Sequence, residues 1–216
     1  MPGLNHWLSV ARAPDADDVR EHILSGYKDG KPFTPYVPTF ALPVPVDRVL
    51  DFGCGLGRNL SYLKTIARHI TGFDLSPMIE RYRTMAGGGA DVLSDDWNGL
   101  RENRFDLIFA ALVLQHIETE ACRSYLMDFL RMAPAVYLLT RADNDFGENV
   151  FDIIAQTDMF EAGDCVEVDH DPDTSQLRVL GCSPFDACRQ AKNGHFEVLL
   201  HSTVFHASRK LDHSQE

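Results

Sequence analysis

Short apolar strands alternate with amphipathic helices along residues 48–140, and this alternation predicts an α/β fold on a doubly wound, mostly parallel sheet. Two further observations support that class. Phe105–Ala110 and Ala135–Thr140 are dominated by apolar residues, as strands covered on both faces are. A glycine-rich turn, Gly53-Cys54-Gly55-Leu56-Gly57, joins the first sheet strand to a helix, where such folds bind ligands. An N-terminal helical cap and a C-terminal hairpin insertion complete the expected architecture. Residues 1–44 are the cap arm, 45–216 the main domain, and 141–194 a candidate insertion on the substrate side.

Each element has its own signal. Val19, Ile23, Leu24 and Tyr27 share one face of a helix over Asp15–Asp29, which Gly30 ends. Five prolines between Pro32 and Pro45 then stiffen an extended arm. Arg48–Phe52 is the first sheet strand. Arg58–Ile70 follows as a helix with Leu60, Leu63, Ile66 and Ala67 on one side, and Ile70–Phe73 as the second strand. Ser76-Pro77 opens a helix through Ala86 that Gly87-Gly88-Gly89 ends. Ala90–Leu93 and Phe105–Ala110 are the next strands. Glu120–Met132 is a helix with Cys122, Tyr125, Leu126, Phe129 and Leu130 on its inner face, and Ala135–Thr140 is a strand. Cys165–Asp169 and Gln176–Leu180 read as a hairpin about Asp171-Pro172-Asp173-Thr174. Ser183–Ala191 reads as a short helix and Phe196–Phe205 as a closing antiparallel strand.

Composition narrows the function. The chain of 216 residues suits one core, and its formal charge of −12 is uneven. Residues 1–141 carry 15 basic and 17 acidic groups, residues 142–216 carry 5 and 15. Such a field opposes a phosphate backbone, so no nucleic-acid partner is expected. The longest apolar run, Leu107–Leu114, is eight residues, too short to cross a bilayer, and no membrane partner is expected. Asp15, Asp17 and Asp18 stand where a signal sequence needs apolar residues, so the expected location is cytoplasmic. Cys54, Cys122, Cys165, Cys182 and Cys188 are accordingly expected as reduced thiols.

The glycine turn gains meaning from Asp74, seventeen residues after Gly57, where a carboxylate can accept from both ribose hydroxyls. The alternative for Asp74 is an N-cap near Ser76-Pro77. A dinucleotide fingerprint, G-x-G-x-x-G, would place its third glycine at position 58, which is Arg58. The chain instead has G-x-G-x-G, with Asp51 two residues upstream.

On these residues the sequence resembles the class I S-adenosylmethionine-dependent methyltransferases. Asp51 to Gly57 resembles their first motif and Phe73-Asp74-Leu75-Ser76-Pro77-Met78 their second. Leu93-Ser94-Asp95-Asp96-Trp97 resembles the third, and Arg104–Phe109 through Leu114-Gln115-His116-Ile117 the fourth strand and its loop. The resemblance implies S-adenosylmethionine as cofactor, held by Asp51, Gly53, Cys54, Gly55, Gly57, Asn59, Asp74, Leu75, Asp95, Asp96, Trp97 and Ala111. Within that set Asp51 faces the ammonium group, Asp74 the ribose, and Asp95, or Asp96 one register on, the adenine amino group; the resemblance also implies a sheet of the seven-stranded type. Asp96 alternates with a solvated turn, and Trp97 with a plug at the sheet edge.

In-line methyl transfer needs positioning and desolvation, and a base only if the acceptor must lose a proton. His116 is the candidate catalytic residue. Its alternative is packing against the loop, in which case His116→Ala costs stability and spares activity. Gln115 reads as a loop-fixing amide. Tyr27 and Tyr36 either close over the cofactor or pack under the cap. Glu167, Asp169, His170, Asp171 and Asp173 read as a charged hairpin tip, so no metal is expected. The expected partner is a small-molecule acceptor, a hydroxyl by preference. Two other functions stay open: a non-catalytic S-adenosylmethionine-binding scaffold, and an NAD(P)-dependent reductase, which Arg58 disfavours.

Overall fold

The computed structural model describes residues 4–12, 27–28, 31–32, 34–43, 45–85, 89–157, 160–171, 176–182 and 194–202. Helix α1 is Leu4–Arg12, followed by the two-residue strands β1 (Tyr27–Lys28) and β2 (Lys31–Pro32), paired antiparallel. Then come β3 (Val46–Phe52), α2 (Leu60–Ile66), β4 (Ala67–Phe73), α3 (Ser76–Met85), β5 (Val92–Ser94), α4 (Trp97–Leu100) and β6 (Leu107–Ala111). A helical turn at Leu114–His116 leads to α5 (Thr119–Met132), β7 (Ala135–Arg141), α6 (Val150–Ala155), β8 (Phe160–His170), β9 (Leu177–Cys182) and β10 (His195–Ser202).

Eight strands form one sheet in the order β5-β4-β3-β6-β7-β10-β8-β9. The first five in that order are mutually parallel; β10 runs antiparallel to both β7 and β8, and β9 antiparallel to β8. Chain order reverses at β3, which has β4 on one side and β6 on the other. That reversal opens a crevice at their carboxyl ends.

Alternate residues of the central strands feed two cores. Leu50, Ile108, Val136 and Leu138 face α5 and α6, meeting Leu126, Phe129, Phe151 and Ile154. Val49, Leu107, Phe109, Tyr137 and Leu139 face the other way, onto Leu63 of α2 and onto Tyr36 and Leu42 of the arm. Because both faces are covered, Leu107–Ala111 of β6 and Ala135–Leu139 of β7 read as unbroken apolar runs.

Several expectations are corrected. The helix expected over Arg58–Ile70 is only Leu60–Ile66, because β4 already pairs with Val46 at Ala67 and runs the length of β3. The extended arm takes over the cover that the missing helical turns would have given. Tyr27, expected at a helix end, lies in β1, and the rest of that expected helix through residue 26 is outside the described residues. The hairpin is real but continues the main sheet: β8 pairs with β10 along most of its length, and β9 is the eighth strand at the edge. The helix expected over Ser183–Ala191 lies outside the described residues. Cys54 and Cys122 are free, whereas Cys165, expected as a thiol, is disulfide-bonded.

Candidate active site

The glycine turn leaves β3 with three left-handed residues, Gly53 (φ 71°), Gly55 (φ 54°) and Gly57 (φ 85°). The N–H groups of Gly53 and Cys54 both donate to the Phe73 carbonyl, at 2.8 and 3.1 Å, which ties the turn to the end of β4. A Cβ on Gly53 would fall 2.8 Å from Val113 Cγ1 and closer still to Cγ2; one on Gly57 would fall 2.6 Å from Tyr82 Oη. Protein side chains therefore impose the first and third glycines. The middle one gives its N–H to Asp74 Oδ2 at 2.7 Å, while Asp74 Oδ1 accepts from Leu75 N–H at 2.7 Å.

Asp51, near the end of β3, is buried, and its Oδ1 has no hydrogen-bond partner. Burial pushes its carboxyl up to about 7, opposed by a hydrogen bond from the Asn59 amide and assisted by the charge of Asp74. Burial likewise lifts Asp74 to about 6, against its two backbone hydrogen bonds. It also raises the Cys54 thiol well above its ordinary value. Asn59 is buried and spent on the protein: besides Asp51, its Oδ1 accepts from Tyr36 N–H at 3.2 Å, which ties the arm to the turn.

The residues past β5 divide. Asp95 is exposed, and a hydrogen bond from the Ser76 side chain holds its carboxyl below the ordinary range. Asp96 caps α4, its Oδ1 accepting from Gly99 N–H at 3.1 Å. Trp97 packs among Phe52, Phe73 and Tyr125, with ring centroids 5.4, 5.0 and 4.9 Å away, and its Nε1–H donates to Asp128 Oδ2 at 2.9 Å. Ala111 ends β6, and Leu112 after it is a non-glycine residue at φ 58°. That left-handed step turns the chain so that Val113 meets Gly53.

His116 sits on the next turn, with Nδ1 2.6 Å from Asp145 Oδ2. A carboxylate only accepts, so Nδ1 carries the proton and Nε2 is the basic nitrogen. Asp145 also forms an ion pair with Arg141. Gln115 is the loop-fixing amide expected: its Oε1 accepts from Arg141 N–H at 2.9 Å, its carbonyl accepts from Asp145 N–H at 2.8 Å, and its Nε2 lies 3.4 Å from His116 Nε2. Trp7 of α1 lies over His116, with ring centroids 5.1 Å apart. Trp7 and Ala11 also pack with Leu56, Met78 and Tyr82, so α1 spans from the glycine turn and α3 to the His116 turn.

Sequence reasoning missed Asp145, Arg141 and Trp7. They stand in stretches without motif or clear periodicity, and only the fold brings them to His116. Tyr36 is 3% exposed and packs under the Arg58 guanidinium, 4.6 Å from its ring centroid. The Tyr27 side chain and Asp173 are outside the described residues. Within the acidic cluster Asp169 pairs with Arg178 at 2.8 Å. Among the described residues no three metal-ligating side chains gather, and no helix is long and apolar enough to cross a membrane.

Residues 49–133 match a family described as "Methyltransferase domain", and this segment spans β3 to the end of α5. No curated protein matches the sequence. Among solved structures, a TehB-like SAM-dependent methyltransferase from Corynebacterium glutamicum is 18% identical, with 92% of this chain and 95% of that one covered at a TM-score of 0.51. A second, described as "Conversion of a Disulfide Bond into a Thioacetal Group during Echinomycin Biosynthesis", is 17% identical over 92% of this chain and 100% of that one, at 0.50. Magnesium protoporphyrin IX methyltransferase from Synechocystis PCC 6803, with bound SAM, is 14% identical, covers 92% and 90%, and has a TM-score of 0.48. These likenesses are of fold.

Proposed function

We propose that this chain is a class I, S-adenosylmethionine-dependent methyltransferase that methylates a hydroxyl of a small molecule, with His116 as the base. The observation that carries the reading is the His116–Asp145 pair on the turn after β6, beside the crevice and under Trp7. The cofactor's chemical groups fit the residues beneath it. Asp51 keeps a buried carboxyl oxygen without a partner, which an ammonium group would satisfy, and its elevated proton affinity falls once a cation stands beside it.

When bound, S-adenosylmethionine supplies a methyl group on a sulfonium, an electrophile that reacts in line. This chain's residues do the rest. Gly53, Cys54, Gly55 and Gly57 present backbone to the cofactor's amino-acid part. Asp74 and Leu75 face its ribose, Asp95 its adenine amino group, and Ala111 the reacting end. Asn59, Asp96 and Trp97 hold these groups in place through the contacts described above. Asp145 fixes the His116 tautomer, so that Nε2 takes the proton of the acceptor hydroxyl. Helix α1 and the arm keep water from the site. Arg58, buried against Tyr36, stands where a nicotinamide fingerprint needs glycine, which counts against a reductase. The formal charge of −12 counts against a nucleic-acid acceptor.

Sequence alone favours packing for His116; its bond to Asp145 supports the base instead. The test pairs calorimetric binding of S-adenosylhomocysteine with turnover of radiolabelled S-adenosylmethionine on fractionated extract. His116→Ala is expected to lower turnover by about 10²–10⁴-fold, to erase the ascending limb of the pH–rate profile and to leave cofactor affinity intact. Full activity in folded His116→Ala refutes the base. Label recovered chiefly in RNA or DNA refutes the acceptor.

A further inference from the structure

A second cluster lies at the carboxyl edge of the sheet, outside the roles assigned above. Arg141 ends β7, His195 begins β10 directly opposite it, and His170 ends β8. His195 is also opposite Val168, two residues before His170. Opposed residues and residues two apart share a face of a sheet, so Arg141, His195 and His170 all project to the side covered by the arm. The two imidazole centroids are 4.9 Å apart, and Tyr36 of the arm is 5.3 Å from His170. Arg58 stacks on the Tyr36 ring.

Two buried nitrogens in this row, His170 Nε2 and Arg141 Nε, have no hydrogen-bond partner among the described residues. A guanidinium N–H can only donate, so Arg141 Nε wants an acceptor. The charges facing the imidazoles come from every surrounding element. Arg58 on the glycine turn and Arg141 on β7 oppose their protonation; Asp169 and Asp171 at the end of β8 favour it. Burial outweighs all of these: it is the chief reason His170 falls to about 4 and His195 falls below its ordinary value. Asp169 is already paired with Arg178, and Asp145 with Arg141. In a chain of formal charge −12, this corner gathers two guanidinium groups and two unprotonated imidazoles. An apolar group here would leave both nitrogens stranded. An anion meets the Arg141 N–H and allows an imidazole to take up a proton and donate as well.

We propose that Arg141, His170 and His195 form a subsite for a carboxylate carried by the methyl acceptor. The proposal rests on the methyltransferase reading only for the word acceptor, and it deepens that reading by giving the acceptor an acidic group. The subsite and the base share a residue, since Arg141 binds the same Asp145 that orients His116. A carboxylate held on Arg141 therefore anchors the acceptor one side chain away from the base.

The experiment uses the full chain with 15N-labelled histidine, with and without S-adenosylhomocysteine, titrated near neutral pH with acetate and with its uncharged analogue acetamide. The expected result is a saturable shift of two imidazole signals toward the imidazolium form with acetate only. Those signals are identified by their loss in His170→Gln and His195→Ala. Each variant should weaken acetate binding by about tenfold or more while S-adenosylhomocysteine affinity stays unchanged. No response to acetate, or an equal response to acetamide, overturns the subsite. If the unaltered protein fails to bind S-adenosylhomocysteine, the methyltransferase reading falls, and the titration without cofactor still judges the subsite.

Discussion

Replacing Gly53 by alanine tests the packing of the glycine turn in energetic terms. The residue sits at φ 71°, and left-handed backbone costs an L residue about 1–2 kcal/mol. Its new Cβ would fall 2.8 Å from Val113 Cγ1, and overpacking of this kind costs about 1–3 kcal/mol more. Gly53→Ala should thus lower stability by roughly 2–5 kcal/mol. Val113→Ala alone removes two methyl groups from a half-buried side chain, worth about 1 kcal/mol. The double variant keeps the backbone strain and loses the clash, so its loss should fall short of the sum of the singles by about 1–3 kcal/mol. Urea unfolding of the four proteins measures this cycle, and S-adenosylhomocysteine titration of the same samples reports the turn. Additive losses would refute the reasoning, because the strain would then owe nothing to Val113. A loss below about 1 kcal/mol in Gly53→Ala would refute the left-handed assignment itself.

Three further predictions follow from buried groups. Asp74→Ala removes the acceptor for the N–H groups of Gly55 and Leu75, and S-adenosylhomocysteine affinity by calorimetry should fall by about tenfold or more. Asp51 holds its proton up to about 7 in the fold against 3.8 ordinarily, so its contribution to stability is full below 3.8 and lost as pH rises toward 7. Asp51→Asn cannot ionise, and relative to the parent it should gain up to roughly 4 kcal/mol across that window in the absence of cofactor. A pH-independent difference in urea unfolding would contradict this. Glu197 is fully buried and accepts from Thr39 N–H at 3.0 Å, from the Thr39 hydroxyl and from Tyr137 Oη–H at 2.9 Å. Glu197→Ala should cost about 3–5 kcal/mol by chemical unfolding and Tyr137→Phe about 1 kcal/mol; a cost in the first below that of the second would show that the arm is not pinned there.

Local chemistry made the glycine turn legible. Gly53, Gly55 and Gly57 work through backbone geometry, which residue type reports directly, and the carboxylates of Asp51 and Asp74 flank them at the ends of two readable strands. Strands β6 and β7 were readable because burial on both faces leaves the apolar runs Leu107–Ala111 and Ala135–Leu139. Helix α2 was overextended because Ala67, Arg68 and His69 suit a helix locally, while pairing with β3 is a long-range demand that local pattern does not carry. The cap that Asp96 provides for α4 and the packing of Trp97 among Phe52, Phe73 and Tyr125 were not legible apart from a cofactor role, because both use the same residue types. The cluster at the far carboxyl edge was the least legible. Arg141, Asp145, His170 and His195 come from three strands and a loop, and only His170 stood out in sequence, as part of a charged hairpin tip. Their meaning is in the register of β7, β10 and β8, which a hydrophobic pattern does not specify across such separations.

The position of β10 bears on the order in which the protein can be made. It is the last described strand in the chain, yet it lies between β7 and β8 and is hydrogen-bonded to both. While the ribosome is still synthesising residues before His195, the five parallel strands end at β7 with its edge open. Its Val136, Tyr137 and Leu138 then lack their partners Leu200, Leu199 and Val198. The β8–β9 hairpin has at that stage no sheet to join, and a two-stranded hairpin is marginal in water by itself. The nascent chain therefore carries an unfinished edge, the kind of surface that chaperones hold and that aggregates form on, until its final described segment emerges. A stop codon ahead of residue 195 would cost far more than one strand, since everything from β8 onward attaches to the sheet through it.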